Sequence, residues 1–225
     1  MTIPQAAIER NLAEVRGRVA AASCRAGRDP GGVQLVAVTK TVGLDEIQTL
    51  YDLGVTHFGE NRLQPAREKI EQFTHEATWH MIGNIQRRKC GEIIRSFSRV
   101  DAVDRLAVAE TLDRRCEETG REAPLPILVE VNVSAEETKH GFAPEELPEA
   151  VDTIRGMKYL RLDGVLTMAP FVEHAEQTRP FFTRLRELAL ANGLTTISMG
   201  MSNDFEVAVE EGATQVRIGS ALFKT

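Results

Sequence analysis

Val33-Gln34-Leu35-Val36-Ala37-Val38-Thr39-Lys40 is the stretch that decides the fold class of this chain of 225 residues. Its nearly continuous apolar run is typical of a parallel strand buried on both faces. Lys40 closes the run, so we expect its side chain at the edge of a low-dielectric core. Because burial disfavours the ammonium form, we predict a lowered pKa for Lys40 and a free amine. Such an amine can form a Schiff base with an aldehyde.

The rest of the chain repeats short apolar runs separated by amphipathic segments. The predicted strands are residues 34–39, 56–59, 79–82, 99–103, 126–132, 162–167, 195–199 and 215–218. The predicted helices between them include residues 44–52, 104–119, 178–192 and 203–211, each ending close to a glycine that can cap it. Strands that alternate with helices predict a parallel sheet, and eight strands close a (β/α)₈ TIM barrel. An open doubly wound sheet is the alternative.

An extra helix is predicted before the first strand. Ile8, Leu12, Val15 and Val19 form one apolar stripe at helical spacing, and the glycine- and proline-rich residues 27–32 end it. Asp104 is the predicted N-cap of the helix that follows the fourth strand. Since no linker-like stretch interrupts the pattern, we expect residues 1–225 to form a single domain.

The composition predicts a cytoplasmic protein that binds neither nucleic acid nor membranes. The formal net charge is −6, and we interpret the run Arg87-Arg88-Lys89 as a solvated helix face. The three cysteines lack the spacing of a zinc site or a disulfide framework, which indicates a reducing compartment and no metal. No apolar run has the length of a membrane span, and no secretory signal is recognisable at the amino end.

The ends of the last two predicted strands indicate an anion site. Ser202 is predicted to precede a helix, where its hydroxyl and the following backbone N–H groups can bind an anion, and Gly219 and Ser220 open a similar loop. Phosphate sites after the seventh and eighth strands recur in barrels of this kind. In a closed barrel Lys40 lies next to the eighth strand, so an amine and a phosphate site flank one gap. Pyridoxal 5′-phosphate (PLP) has an aldehyde and a phosphate on one pyridine ring.

Arg217 is predicted to face the same gap. It lies two residues before Gly219, and alternation along a strand places both residues on one face. A guanidinium there could donate to the pyridine nitrogen, and its permanent charge would disfavour ring protonation. The ring would then withdraw electrons more weakly than one that is paired with a carboxylate.

Seven sets of residues, taken in order, resemble a known family. They are Ala37-Val38-Thr39-Lys40, Phe58-Gly59-Glu60-Asn61, Trp79-His80-Met81-Ile82-Gly83, Asn132-Val133-Ser134 with Lys139-His140-Gly141-Phe142, Gly164-Val165-Leu166-Thr167-Met168-Ala169-Pro170, Ser198-Met199-Gly200-Met201-Ser202-Asn203-Asp204 and Val216-Arg217-Ile218-Gly219-Ser220. Together they are similar to the pyridoxal phosphate homeostasis proteins, also called the YggS/PROSC family, over about residues 33–223. Arg62 and Asn84 depart from the family's usual pattern near the mouth of the barrel.

The resemblance implies a single barrel similar to the N-terminal domain of alanine racemase. It implies these cofactor-binding residues: Lys40 for the Schiff base, Asn61 near the cofactor, Ser202, Gly219 and Ser220 for the phosphate, and Arg217 for the pyridine nitrogen. Family members bind and buffer PLP and are thought to hand it to PLP-dependent apo-enzymes, without established turnover. We therefore assign no catalytic residue and expect a monomer that holds PLP for intracellular homeostasis and delivery.

A PLP-dependent amino-acid racemase is the alternative function. Racemisation needs a base on each face of the substrate carbon, and Lys40 supplies only one. Tyr51 and Tyr159 are predicted to lie away from the mouth, and the chain stops soon after the eighth strand, which favours the carrier. A phosphate-binding barrel without pyridoxal ranks last. We interpret His80 as a core histidine and Glu60 as a residue that fixes Asn61 or a backbone amide.

Overall fold

The computed structural model of the protein describes residues 3–136 and 140–225, so Lys139 lies outside the described residues. The strands within these ranges are β1 Gln34–Val38, β2 His57–Glu60, β3 Thr78–Met81, β4 Arg99–Val103, β5 Leu125–Glu130, β6 Leu160–Leu166, β7 Thr196–Ser198 and β8 Gln215–Ile218. The α-helices are α1 Gln5–Arg25, α2 Leu44–Asp52, α3 Leu63–Gln72, α4 Cys90–Ser96, α5 Leu106–Glu118, α6 Leu147–Arg155, α7 Arg179–Ala191 and α8 Phe205–Glu210.

The strands form one closed parallel barrel in the order β1 to β8. Parallel pairing of β1 with β8 closes it, with Gln34 opposite Gln215 and Ala37 opposite Ile218. The predicted (β/α)₈ barrel is confirmed, and the open sheet is wrong because β8 finds its partner in β1. This closure brings Lys40, just after β1, beside the loop that follows β8.

Helix α1 is the predicted extra element, and it packs on the outside of the barrel. Its stripe of Ile8, Leu12, Val15 and Val19 is buried, and burial of each large aliphatic side chain contributes about 1.5–3 kcal/mol. The Asn11 side-chain amide donates to the carbonyls of Leu222 (3.1 Å) and Lys224 (2.9 Å). The helix therefore also holds the segment that follows β8.

Some predicted boundaries are wrong for local reasons. Helix α5 begins at Leu106, and Asp104 does not cap it; the Asp104 carboxylate instead pairs with the Arg105 guanidinium at 2.6 Å. Helices α3, α4 and α6 were not predicted from the sequence. The run Arg87–Lys89 forms a short 3₁₀ turn rather than a helix face, and Arg87 and Arg88 are exposed as expected.

The outer surface and the thiols complete the description of the fold. In residues 3–136 and 140–225, none of the helices combines the length and the apolar character that crossing a bilayer requires. Cys90 and Cys116 are buried free thiols, and Cys24 is an exposed one. Burial raises the pKa of the Cys90 thiol to about 11, which makes it a packing residue rather than a nucleophile.

Candidate functional site at the carboxyl ends of the strands

The carboxyl ends of the strands surround a cavity of about 930 Å³. The side chains or backbone of all six residues that the sequence singles out line it: Lys40, Asn61, Ser202, Arg217, Gly219 and Ser220. They come from β1, β2, β7 and β8 or from the loops directly after them. Closure of the barrel therefore brings together residues from both halves of the chain. The volume suits a small organic ligand.

Lys40 lies at the rim of this cavity and is exposed. The expectation that Lys40 is partly buried is wrong, because β1 ends at Val38 and the side chain extends into the open cavity rather than into the core. Throughout the described part of the chain, no hydrogen bond or ion pair engages its Nζ atom. The amine is therefore accessible to a ligand that enters the cavity.

A buried polar clamp, formed by Thr39, Glu60 and Lys69, holds the backbone next to Lys40. The Lys69 Nζ atom donates to the Thr39 carbonyl and to Glu60 Oε1, both at 2.8 Å, and the Thr39 hydroxyl donates to the same Oε1 at 2.7 Å. Glu60 thus fixes Thr39 and Lys69, not Asn61 as predicted. Sequence reasoning missed Lys69 because it resembles any charged residue on an amphipathic helix.

The loops after β7 and β8 are tied to each other. The Ser202 hydroxyl accepts a hydrogen bond from the Ala221 N–H at 3.1 Å. Ser202 precedes a helix, as predicted, but it is not the N-cap residue, because α8 begins at Phe205 with Asp204 at the N-cap position; the Asp204 carboxylate accepts a hydrogen bond from the Met201 N–H at 2.6 Å. The hydroxyl of Ser202 consequently bridges to the loop that carries Ser220, which is exposed to the cavity.

Two glycines permit the close packing of these loops. Gly200 has φ +90°, and a Cβ there would lie 2.5 Å from the Ala208 Cβ. A Cβ on Gly219 would lie 3.3 Å from the Val38 Cβ, so the last loop runs directly over the end of β1. Gly219 lines the cavity, so its backbone can approach a ligand closely and its N–H group can serve an anion, whereas Gly200 does not line the cavity and permits the packing against α8.

Arg217 presents a buried guanidinium to the cavity. It is 4% exposed, and it donates to the Ser198 hydroxyl at 2.7 Å and to the Thr167 carbonyl at 2.8 Å. Burial lowers the pKa of Arg217, whereas the carboxylates of Asp101, Glu130 and Asp204 raise it. Since an arginine stays charged in proteins, this group is a fixed cation with a defined orientation.

Beneath Arg217 a hydrogen-bonded network fills the barrel interior. The Gln215 amide donates to the Ser198 hydroxyl at 2.8 Å and to Asp101 at 3.1 Å, and His80 contacts the same Asp101 oxygen at 2.6 Å. His80 is fully buried and does not line the cavity, as predicted for a core histidine. Burial opposes ionisation of Asp101, but His80 and Arg99 hold its pKa well below the usual range. The Ser198 hydroxyl accepts hydrogen bonds from both Gln215 and Arg217, so the network helps to orient the Arg217 guanidinium.

Sequence reasoning assigned no role to four ionisable residues that also line the cavity, namely Glu130, His140, Glu173 and Asp204. Burial raises the pKa of Asp204. Glu130 ends an apolar strand and could have been noticed from its position alone. The rim is apolar, with Met168, Phe171 and Met201 exposed.

Two residues that depart from the family pattern, Asn84 and Arg62, and the two tyrosines differ in their positions relative to the cavity. Asn84 lines the cavity, whereas Arg62 faces a smaller neighbouring pocket. Tyr51 stacks on the His75 ring with centroids 4.7 Å apart, and the Tyr159 hydroxyl lies 3.4 Å from Glu117. Neither tyrosine lines the cavity, as the sequence predicts, so neither supplies a base there.

Comparisons with known proteins agree with this geometry. The family model described as "Alanine racemase, N-terminal domain" matches residues 3–225. The pyridoxal phosphate homeostasis protein of Pseudomonas aeruginosa is 42% identical over 220 residues, covering 96% of this chain and 94% of the relative. That of Escherichia coli K12 is 36% identical over 230 residues, covering 96% and 95%.

Solved structures match as well. PipY of Synechococcus elongatus, with PLP bound, has a TM-score of 0.83 and 30% identity, covering 96% of this chain and all (100%) of the other. Alanine racemase of Clostridium difficile has a TM-score of 0.77 at 13% identity, and the match covers 100% of this chain but 58% of the racemase. The racemase likeness shows the fold alone.

Proposed function

Because the chain belongs to the alanine racemase N-terminal domain family and, within it, to the pyridoxal phosphate homeostasis proteins, we propose that it binds PLP. It holds the cofactor as a Schiff base on Lys40 and acts in intracellular PLP homeostasis and delivery, without strong catalytic turnover. The observation that carries this function is the single cavity that contains Lys40 together with the linked loops after β7 and β8.

The residues present fit the cofactor. The accessible Lys40 amine suits an aldehyde, and the loops of Ser202, Gly219 and Ser220 supply hydroxyl and backbone donors for a phosphate. When bound, PLP supplies an electrophilic aldehyde and an electron-withdrawing ring. We assign Arg217 to the pyridine nitrogen and Asn61 to the ring's surroundings.

The same residues favour storage over turnover. A fixed cation such as the Arg217 guanidinium disfavours protonation of a neighbouring ring nitrogen, which leaves the ring a weak electron sink. The relatives from Pseudomonas aeruginosa and Escherichia coli are homeostasis proteins. Among the described residues no tyrosine lines the cavity, so neither Tyr51 nor Tyr159 supplies the second base that the racemase alternative needs. The open mouth with its apolar rim leaves bound cofactor accessible to other molecules.

The recipient enzymes, the compartment, the oligomeric state and the domain organisation are also part of the proposal. We propose that PLP-dependent apo-enzymes receive the cofactor, that the protein acts as a cytoplasmic monomer, and that residues 1–225 form one PLP-binding domain. The family match over residues 3–225 supports the single domain. The free thiols of Cys90 and Cys116 support a reducing compartment.

An absorption spectrum before and after borohydride reduction tests the function. We expect the purified protein to be yellow, reduction to fix the chromophore on Lys40, and mass spectrometry to locate the adduct there. Lys40→Ala is expected to abolish the covalent adduct, whereas Lys224→Ala, which removes an exposed lysine outside the cavity, is expected to leave it intact. An adduct that persists in Lys40→Ala would refute the assignment.

A further inference from the structure

Two glutamates end strands of the barrel, and they differ in their partners. Glu60 at the end of β2 is 1% exposed and accepts hydrogen bonds from Thr39 and Lys69. Glu130 at the end of β5 is 5% exposed and lines the cavity. Within residues 3–136 and 140–225, no donor contacts the Glu130 carboxyl. The Glu130 carboxyl therefore meets the cavity without a donor from the described residues, and a ligand in the cavity can supply its hydrogen-bond partner.

The backbone holds Glu130 firmly in this wall. Glu130 lies opposite Leu166 of β6 in the parallel sheet, and the Glu130 backbone carbonyl accepts a hydrogen bond from the Phe142 N–H at 2.8 Å. Gly141 has φ +115°, and a Cβ there would lie 3.0 Å from the Glu130 carbonyl oxygen. The returning segment thus fixes the backbone of Glu130 at the cavity wall.

The charged groups that face Glu130 come from three directions. They are Arg217 on β8, Asp104 after β4 and His140 after β5. Arg217 is already engaged by Ser198 and Thr167. Burial raises the pKa of Glu130; Arg217 lowers it, Asp104 raises it and His140 lowers it, with a net rise.

We propose that Glu130 contacts bound PLP in its neutral form and donates a hydrogen bond to it, so that binding takes up one proton. This inference rests on the proposed function. PLP carries its negative charge on the phosphate and the phenolic oxygen, which repel a carboxylate in the same cavity but accept a hydrogen bond from a carboxyl group. The proton passes from solvent to the Glu130 carboxylate, and no bond of the cofactor forms or breaks.

Binding of pyridoxine 5′-phosphate isolates this proton, because that compound lacks the aldehyde and leaves Lys40 chemistry out. Calorimetry in buffers of different ionisation enthalpy gives both the affinity and the number of protons taken up. We compare the unmodified protein with Glu130→Gln and with Glu122→Gln. Glu122 is an exposed carboxylate just before the start of the same strand and serves as the matched control.

We expect affinity to fall more steeply with pH in the unmodified protein than in Glu130→Gln, whose amide is neutral and can still donate. The ratio of the two dissociation constants should change about threefold or more between about pH 5 and pH 8, and proton uptake should drop in Glu130→Gln. Glu122→Gln should behave as the unmodified protein. Glu130→Leu should also flatten the profile, but should bind more weakly at acidic pH because it cannot donate.

Two results would overturn the inference. Parallel pH profiles and equal proton counts in the unmodified protein and Glu130→Gln would refute the role of Glu130 while binding itself persists. Failure of the unmodified protein to bind pyridoxine 5′-phosphate would instead refute the inference together with the proposed phosphate site.

Discussion

Replacing Lys69 by methionine tests how the Thr39–Glu60–Lys69 clamp supports the site. The side chains of Lys69 and Glu60 are 14% and 1% exposed. Removing one partner of a buried ion pair costs about 3–5 kcal/mol, because the other charge is left without compensation. Lys69 keeps some contact with solvent and Glu60 keeps the Thr39 hydroxyl, so we expect a loss of about 2–3 kcal/mol in the free energy of unfolding.

This loss is large enough to measure by urea denaturation and by thermal melting. For a chain of this size we expect the melting temperature to fall by about 5–10 °C. Glu60→Gln removes the uncompensated charge, so the double variant Lys69→Met/Glu60→Gln should be more stable than Lys69→Met alone. Lys224→Met, at an exposed position, should stay within about 0.5 kcal/mol of the unmodified protein.

The clamp also sets the position of Lys40, so the borohydride-trapped PLP adduct should form more slowly in Lys69→Met. Both single variants and the double variant must be compared. If the double variant loses as much stability as the two single changes added together, the residues are not coupled and the clamp does not act as a unit.

Two further predictions follow from the glycines and from His57, whose Nδ1 atom lies 2.9 Å from the His80 Nε2 atom. Gly200→Ala should lower the free energy of unfolding by about 2–4 kcal/mol in urea titrations, because the residue has a positive φ and the added Cβ would lie 2.5 Å from the Ala208 Cβ. Gly17→Ala is the control: it lies in α1 with no atom within 4 Å of the added Cβ, so it should raise the free energy of unfolding by about 0.5–1 kcal/mol. Equal effects of the two changes would refute the argument. Burial and then the charges of His80 and Arg99 lower the pKa of His57 from 6.5 to about 4, so the unfolded chain binds the proton more readily and stability falls as pH drops from about 6.5 to 4. We expect His57→Gln to remove about 2 kcal/mol of that fall, and an unchanged pH slope would contradict the assignment.

The barrel was predictable because its signals are local and repeated. Residues 99–103 and 215–218 were predicted with the bounds of β4 and β8, since each is a short segment in which polar and apolar residues alternate. Lys40 and the Ser202, Gly219 and Ser220 loops were predictable because the barrel rule joins the carboxyl ends of strands. The exposure of Lys40 was not predictable, since it depends on where β1 ends relative to the open cavity.

Contacts between distant residues could not be predicted from local patterns. Ser202 precedes a predicted helix in the sequence, yet the partner of its hydroxyl is the Ala221 N–H on the next loop. Lys69 gains its importance only from what lies beside it in the folded chain, and for Glu130 the strand-end position was visible in the sequence but the lack of a donor was not. The Lys69 amine pairs with the buried Glu60 carboxylate, and no donor among the described residues contacts the Glu130 carboxyl.

The pairing of β1 with β8 has a consequence for how the protein is made. Lys40 leaves the ribosome about 180 residues before Ser220. Until β8 docks, and the Asn11 amide binds the carbonyls of Leu222 and Lys224, the amine lacks the loop that is proposed to bind the phosphate. We therefore expect loading with vitamin B6 phosphate to follow translation of β8, and a nascent chain arrested before β8 to remain colourless.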